Sequence, residues 1–215
     1  MNTKTILFQG DSITDAFRSR NSDINPGYGY PDMVSGQLGL RQPFCYQFIN
    51  RGNGGNRIVD LYARIKADII NLSPDYMSIL IGINDVWHEL ENQNGVDAEK
   101  FEMIYDLLIQ EVLRELPGLK LMLLEPFVLS GTATCSDDAH PGRWEIFRKE
   151  TDLRRAAVAR LAEKHALKFV PLQDRFDKAN EGAPMGYWLF DGVHPTPAGH
   201  ALITEAWLEA FEEIQ

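Results

Sequence analysis

The amino-acid sequence predicts an α/β protein in which a doubly wound, parallel sheet of five strands lies between two layers of helices. Two observations lead to this prediction. Short apolar runs alternate with stretches of helical periodicity along all 215 residues, and this alternation is typical of parallel sheets with helices on both faces. The runs also lack strict apolar–polar alternation, as expected of strands that are covered on both faces.

Five apolar runs are the candidate strands, and most of them end at residues typical of turns. Gly10 follows the first run, Gly82 closes the third, and Pro126 comes soon after the fourth. The runs comprise residues 5–8, 46–49, 76–81, 119–124 and 167–171. Because helical stretches separate consecutive runs, the chain has room for the crossovers that parallel pairing requires.

Helical periodicity fills most of the gaps between these runs. Apolar residues recur at helical spacing from Ile58 to Leu72 and stop at Pro74. The last helix begins after Thr196, a suitable N-cap with Pro197 at the first helical position. The predicted helices span residues 58–72, 101–112, 143–165 and 197 to about 214. Residues 130–141 are polar and predict a surface loop.

Length and composition restrict the protein class. A chain of 215 residues fits one hydrophobic core, so we expect a single domain over residues 1–215. The formal net charge is −10. Nucleic acids and anionic membrane surfaces require a basic footprint, so neither is expected as a partner.

Targeting and metal signals are weak in this sequence. No apolar run approaches the ~18 residues of a membrane span, and the first run is too short for a signal-peptide core. Cys45 and Cys135 are the only cysteines, and neither has zinc-ligand spacing. Asp137, Asp138 and His140 lie in the predicted surface loop, and we expect no metal there. A reduced, cytoplasmic protein is the simplest interpretation, although a secreted chain without its signal would look the same.

Residues that could take part in catalysis lie where the predicted strands end. Ser12 follows the first strand, Gly54 and Gly55 follow the second, and Asn84 follows the third. Ligands of open α/β sheets bind at this edge. Asp191 and His194 come just before the last helix, which can pack beside the first strand.

Serine, histidine and aspartate are the three parts of a serine hydrolase. Asp191 can fix the tautomer of His194, and His194 can take the proton of the Ser12 hydroxyl. Taken singly, Asp191 is more simply a turn or cap residue, and Ser12 belongs to a turn that caps a helix. Their combined placement favours the catalytic interpretation.

Three groups could stabilise the negative oxygen of the tetrahedral intermediate. They are the Ser12 backbone N–H, the Gly55 N–H and the Asn84 side-chain amide. The glycines 52–55 could instead form a flexible turn or a phosphate nest. They lack both the GxGxxG spacing and the lysine of a P-loop, so a nucleotide site is not expected.

These residues resemble the SGNH (GDSL-like) hydrolase family. Four blocks match in order and span essentially the whole chain: Gly10-Asp11-Ser12-Ile13, the glycines after Asn50-Arg51, Gly82-x-Asn84-Asp85, and Asp191-x-x-His194. No GxSxG of the other large α/β hydrolase group is present. The segments around Trp87 and Trp188 are similar to those of small bacterial sugar acetylesterases, including acetylxylan esterases.

The resemblance implies a flavodoxin-like fold, no metal or other cofactor, and a triad of Ser12, Asp191 and His194. It also implies an oxyanion hole formed by Ser12, Gly55 and Asn84. The second block departs from the family because Gly54 stands where many members have a serine before the last glycine. Which of Gly54 and Gly55 donates is therefore open, and we take Gly55.

Four further residues are candidates for substrate binding. Asp11 precedes the nucleophile, and Trp87 and His88 follow the third block. A loop histidine without a role is an equally good interpretation of His88. Trp188 is the fourth candidate; it belongs to an aromatic cluster with Tyr187 and Phe190 that could stack on a sugar, although such clusters are often part of the core.

The sequence therefore predicts a serine esterase that hydrolyses short acyl esters, acetyl esters of carbohydrates above all. Two alternatives remain open, a thioesterase or lysophospholipase on the same scaffold and a non-catalytic flavodoxin-like binding module. The expected partner is a small-molecule or oligosaccharide ester. Trp144, Trp207 and Phe211 on predicted surface helices also suggest a homo-oligomer.

Overall fold

A computed structural model describes residues 3–215 of the chain. Its five strands form one parallel sheet in the order β2-β1-β3-β4-β5. The strands are β1 (Lys4–Gly10), β2 (Tyr46–Asn50), β3 (Tyr76–Leu80), β4 (Lys120–Leu124) and β5 (Lys168–Val170). The predicted fold class, a five-stranded parallel sheet in an α/β protein, is confirmed.

Helices separate the strands along the chain. They are α1 (Ser12–Asp15), α2 (Tyr30–Arg41), α3 (Ile58–Ala63), α4 (Ile65–Asp68), α5 (Ile83–Asn92), α6 (Ala98–Glu115), α7 (Arg143–Lys164), α8 (Gln173–Ala179) and α9 (Pro197–Glu212), with a short 3-10 helix at Ile70–Leu72. Within residues 3–215, no helix is both long and apolar enough to cross a membrane.

Alternate residues of the central strand β1 face different layers. Ile6 and Phe8 belong to a buried cluster with Trp207 of α9, whereas Leu7 belongs to a second cluster with Tyr105 of α6. Side chains of a strand alternate between its two faces, so a nearly continuous apolar run is buried on both sides. The layers leave the carboxyl ends of β1, β2 and β3 at one edge of the sheet.

The predicted helix 58–72 is divided in the structure. It breaks at Arg64, between α3 and α4, and ends in the 3-10 turn. The Arg64 guanidinium donates to the carbonyls of Arg51 and Gly10, which lie near the ends of β2 and β1. The apolar periodicity continues across the break, since Leu61 and Ile65 are both buried. A periodic pattern alone could not reveal this division.

Three helices and one buried loop were not predicted. α2 contains Gly36 and Gly39, weak helix formers that obscure its periodicity, and α5 and α8 were not identified either. The prediction of a surface loop over 130–141 is wrong for its first part, because Thr134 is fully buried.

Candidate active site

Ser12 stands where strand β1 turns into a short helix. β1 ends at Gly10, and the Asp11 carboxylate caps α1 by accepting a hydrogen bond from the Ile13 N–H at 2.9 Å. Ser12 is the first residue of α1, so its own N–H points away from the helix and has no acceptor among residues 3–215. The turn therefore presents both a hydroxyl and a free backbone donor.

Ser12, His194 and Asp191 form one hydrogen-bonded chain. The Ser12 Oγ lies 3.0 Å from His194 Nε2, and His194 Nδ1 lies 2.7 Å from Asp191 Oδ2. The other Asp191 oxygen accepts the backbone N–H groups of Val193 and His194 at 2.9 and 2.8 Å. One short turn thus fixes both the carboxylate and the imidazole, although Ser12 is 182 residues away from His194 in sequence.

The ionisation of Asp191 and His194 depends on their hydrogen bonds. Burial disfavours a charged Asp191, but hydrogen bonds from the His194 side chain and from two backbone N–H groups outweigh it and lower the pKa of Asp191 to about 2. The hydrogen bond with Asp191 raises the pKa of His194 above its ordinary value, against the opposing effect of burial. An ionised Asp191 therefore favours a proton on His194.

The loop between β4 and α7 clamps the backbone of the Asp191–His194 turn. The Leu129 N–H donates to the Gly192 carbonyl and the Ala133 N–H to the Asp191 carbonyl, both at 2.9 Å. Gly192 has φ +102°, and a Cβ there would lie 2.3 Å from the Thr134 hydroxyl. Only glycine fits this close approach. No periodicity or motif in the sequence predicts this contact.

The three predicted oxyanion donors lie on neighbouring segments around Ser12. The Gly54 N–H donates to Asp15 at 3.1 Å, whereas the Gly55 N–H has no acceptor among the residues that the structure describes. The Asn84 side-chain nitrogen donates one hydrogen to the Asn56 carbonyl at 3.1 Å and keeps a second one. Gly55 rather than Gly54 therefore has a free donor.

Asp85 connects the first turn of α5, which carries Asn84, with the start of α3, which follows the loop that carries Gly55. Its buried carboxylate accepts the Ile58 N–H with both oxygens, at 3.1 and 3.3 Å. Burial raises the pKa of Asp85 to about 8 in spite of that hydrogen bond. Asp85 belongs to a predicted block, but its connection between the starts of α3 and α5 was not predicted.

Two of the four predicted substrate-binding residues lie beside the triad. The Trp87 ring is 5.7 Å from the His194 ring, centroid to centroid. The His88 imidazole lies against Gly55, 3.9 Å from the position that a Cβ would occupy there. Both side chains are half-buried.

The structure does not support substrate contacts by Asp11 or Trp188. The Asp11 side chain is only 1% exposed, and burial raises its pKa to about 7. Trp188 packs against the core, and its indole N–H donates to the Ala179 carbonyl at 2.8 Å. The neighbouring Phe190 is the residue of this aromatic cluster that reaches the site.

A cleft of about 620 Å³ opens beside Ser12 and His194. Its walls are largely apolar and include the exposed aromatic rings of Phe17, Tyr28 and Phe190. A groove of similar volume between α6 and α7 is lined by neither a serine nor a histidine, and its Arg160 and Lys164 are paired with Glu102 and Asp106. The cleft is therefore the candidate substrate site.

Two further sequence predictions concern residues outside the site, the apolar residues of the predicted surface helices and the acidic residues of the predicted surface loop. Trp207 and Phe211 are fully buried in the core, so they present no apolar surface. Asp137 and His140 form an exposed hydrogen bond at 3.1 Å. Among residues 3–215, no group of three or more His, Cys, Asp or Glu side chains could hold a metal ion.

Comparison with known proteins shows the family of the chain. The model of the GDSL-like lipase/acylhydrolase family matches residues 8–202. The chain belongs to this family. It is 31% identical to an acetylxylan esterase from Geobacillus stearothermophilus, over 98% of this chain and 95% of the relative. The protein is thus a carboxylic ester hydrolase of the GDSL type.

Several solved structures are similar to the chain over nearly its whole length. A Parabacteroides merdae protein described as a GDSL-like lipase is 34% identical, with a TM-score of 0.86 and 98% of each chain covered. LAE5, an α/β hydrolase from the metagenome of Lake Arreo, is 30% identical with a TM-score of 0.83, covering 99% of this chain and 96% of LAE5. Axe2, an acetylxylan esterase from Geobacillus stearothermophilus, is 30% identical with a TM-score of 0.83, covering 96% of this chain and 93% of Axe2.

Proposed function

We propose that this protein is a serine esterase that removes short acyl groups, acetyl groups above all, from carbohydrates. The observation that carries the proposal is the hydrogen-bonded chain from Asp191 through His194 to Ser12, with distances of 2.7 and 3.0 Å. Three donors with a free hydrogen accompany these residues, namely the Ser12 N–H, the Gly55 N–H and the Asn84 amide. Nucleophile, base and oxyanion donors are thus all available at one point of the sheet edge.

In the first half of the reaction, His194 Nε2 takes the proton of the Ser12 hydroxyl while Oγ attacks the ester carbonyl carbon. The carbonyl oxygen becomes negative and accepts hydrogen bonds from Ser12, Gly55 and Asn84. The carbon–oxygen bond to the alcohol then breaks, and the alcohol leaves with the proton from His194. Asp191 holds the imidazole in the tautomer that this transfer requires.

In the second half, water hydrolyses the acyl group on Ser12. His194 takes a proton from water, and the resulting hydroxide oxygen attacks the acyl carbon. The intermediate collapses, the acid leaves, and the proton returns to the Ser12 oxygen. No other reactant is needed, so the stoichiometry is one ester and one water to one acid and one alcohol.

Relatives support both the machinery and the acyl group. Three Axe2 variants described as catalytic mutants replace an aspartate, a serine and a histidine by alanine. Axe2 is described as an acetylxylan esterase, and in one case as an acetyl-xylooligosaccharide esterase. An acetylated sugar is accordingly the substrate class that we propose for this chain.

The apolar lining of the cleft favours one alternative on the same scaffold. Phe17, Tyr28 and Phe190 could contact a long acyl chain instead of a sugar, as a lysophospholipase or thioesterase would require. The two functions differ in which part of the ester fills the cleft. Acyl length therefore separates them.

The test is the hydrolysis of 4-nitrophenyl esters from acetate to octanoate. We expect kcat/KM to fall at least tenfold between acetate and octanoate, because each misplaced methylene is worth ~1–3 kcal/mol in a pocket shaped for a smaller group. The leaving alcohol is the same throughout and serves as the internal control. Equal or better hydrolysis of octanoate would contradict the acetylesterase proposal and favour the alternative.

We also propose that copies of the chain associate. Since Trp207 and Phe211 are buried, the support comes from other apolar side chains. Four of them are more than 80% exposed, namely Phe17, Ile24, Leu40 and Phe44. Large exposed apolar residues are common in protein interfaces. A sedimentation mass near the 24.4 kDa monomer at micromolar concentration would contradict association.

A further inference from the structure

His200 is a second histidine in the cleft, and the proposed reaction does not use it. It lies in the first turn of α9 and is only 7% exposed, yet its ring forms part of the cleft wall. Apart from the triad, Tyr28 is the only other polar side chain among the described residues that line the cleft. His200 is thus a scarce polar group in an apolar space.

The hydrogen bonds of His200 determine where its hydrogen is. Nδ1 accepts the Tyr30 backbone N–H at 3.2 Å, so this nitrogen carries no hydrogen. Burial, with a smaller effect from the positive charge on His194, lowers the pKa of His200 to about 4. The ring is therefore neutral wherever His194 can act as a base, and its one hydrogen is on Nε2.

The Nε2–H of His200 is available to a ligand. It has no hydrogen-bond partner within residues 3–215, and Nε2 is not among the polar atoms sealed away from solvent. Packing fixes the ring, because a Cβ on Gly29 would lie 2.8 Å from His200 Cε1. The donor is accordingly oriented before any substrate arrives, which reduces the entropy lost on binding.

The cleft lies beside Ser12 and does not reach the other two proposed oxyanion donors. Neither Gly55 nor Asn84 lines it, so the carbonyl oxygen of a bound ester points elsewhere. An acetyl methyl group is far too small to fill about 620 Å³. The alcohol part of an acetyl ester is then the part that occupies the cleft.

We infer that His200 is a substrate-binding residue whose Nε2–H donates a hydrogen bond to a hydroxyl oxygen of the alcohol part of the ester. This inference rests on the proposed sugar-ester function. A neutral donor in a cleft that Asp191 also lines suits an uncharged polyol better than an acidic sugar, because the ionised carboxylate repels anions. The aromatic rings of Tyr28 and Phe190 can contact the apolar face of the same sugar.

Two substitutions separate this role from the packing role of the ring. In His200→Asn, the side-chain oxygen can replace Nδ1 as the acceptor for Tyr30, but nothing reaches the position of Nε2. In His200→Gln, the amide nitrogen can reach that position and restore the donor. The two variants are similar in polarity, so they form a matched pair.

The experiment compares two acetate esters, a monoacetylated methyl xylopyranoside and 4-nitrophenyl acetate, which has no hydroxyl. For His200→Asn, we expect kcat/KM on the sugar ester to fall roughly three- to tenfold, mainly through KM, since a single hydrogen bond is lost. On 4-nitrophenyl acetate the same variant should stay within twofold of wild type. His200→Gln should recover most of the activity on the sugar ester.

Failure of the inference differs from failure of the proposed function. If wild type hydrolyses the sugar ester and His200→Asn is unaffected, or loses equally on both esters, the hydrogen bond is refuted and the function stands. If wild type hydrolyses only 4-nitrophenyl acetate, the carbohydrate function is refuted and the inference with it.

A measurement on the wild-type enzyme covers the case in which the variants fold poorly. In protein labelled with ¹⁵N-histidine, the His200 signals should report the Nε2–H tautomer at neutral pH. Adding methyl xylopyranoside, the deacetylated product, should shift the Nε2 resonance. A protonated Nδ1, or no shift at saturating sugar, would overturn the inference.

Discussion

The two sides of Ser12 are built in different ways. On one side, hydrogen bonds hold each element in place: Gly54 donates to Asp15, Asn84 to Asn56, and Ile58 to Asp85. On the other side, the cleft is open and lined by rings such as Phe190, which is 62% exposed. One side is rigid and polar, the other apolar and accessible.

This difference indicates a division between chemistry and recognition. Donors for a developing charge must be oriented before the reaction, and a hydrogen-bonded frame provides that orientation. A surface that selects the alcohol needs shape and contact area, and only a few polar groups. Substitutions on the first side should therefore act on kcat, and those on the second side on KM and substrate choice.

The largest effect is expected at the boundary between the sides, where Ser12 and His194 meet. Ser12→Ala and His194→Ala should each lower kcat by about 10³-fold or more with the fold intact, because the hydroxyl is a poor nucleophile without its base. The double variant should be little worse than either single one. Turnover of 4-nitrophenyl acetate and circular dichroism provide the measurement, and a Ser12→Ala enzyme with a tenth of wild-type activity would require another nucleophile.

The next effect is expected on the polar side, at Asn84. Its amide should contribute more to the transition state than to the bound substrate, so Asn84→Ala should lower kcat by roughly 10²–10³-fold with a modest change in KM. Asn92, an exposed residue at the end of the same helix α5, provides the control, and Asn92→Ala should match wild type. A change confined to KM would instead make Asn84 a substrate-positioning residue and erase the contrast between the sides.

The smallest effect is expected on the apolar side, at Phe190. Phe190→Ala should raise KM for the acetylated xyloside several-fold with little change in kcat, because ring contacts with a sugar are individually modest. Phe44 is a matched control, since it is 93% exposed and does not line the cleft. If kcat fell while KM stayed constant, Phe190 would belong to the chemistry rather than to recognition.

The sequence predicted the polar side better than the apolar side. Ser12, Gly55 and Asn84 each follow a strand, and the ends of parallel strands meet at one edge whatever the helices do. Strand periodicity and short motifs are therefore sufficient to bring these residues together. The Asp191–His194 pair was equally accessible, because one turn carries both groups.

The apolar side depends on contacts that no local pattern encodes. The Tyr30 N–H that sets the tautomer of His200 comes from α2, 170 residues away and not predicted. Trp188 was chosen over Phe190 as a sugar-binding ring, although only the folded turn shows which of them faces the cleft. Thr134 was placed in a surface loop because its neighbours are polar, and its burial arises only when that loop packs on Gly192.

Covalent labelling of Ser12 tests the central claim most directly. A fluorophosphonate should add once per chain, on the Ser12 peptide, as measured by mass spectrometry of the intact and digested enzyme. The labelling rate should rise with pH through a midpoint above the ordinary histidine value of about 6.5, because Asp191 raises the pKa of His194 and only neutral His194 can act as the base. An adduct on another residue, or full esterase activity after Ser12 is labelled, would contradict the account.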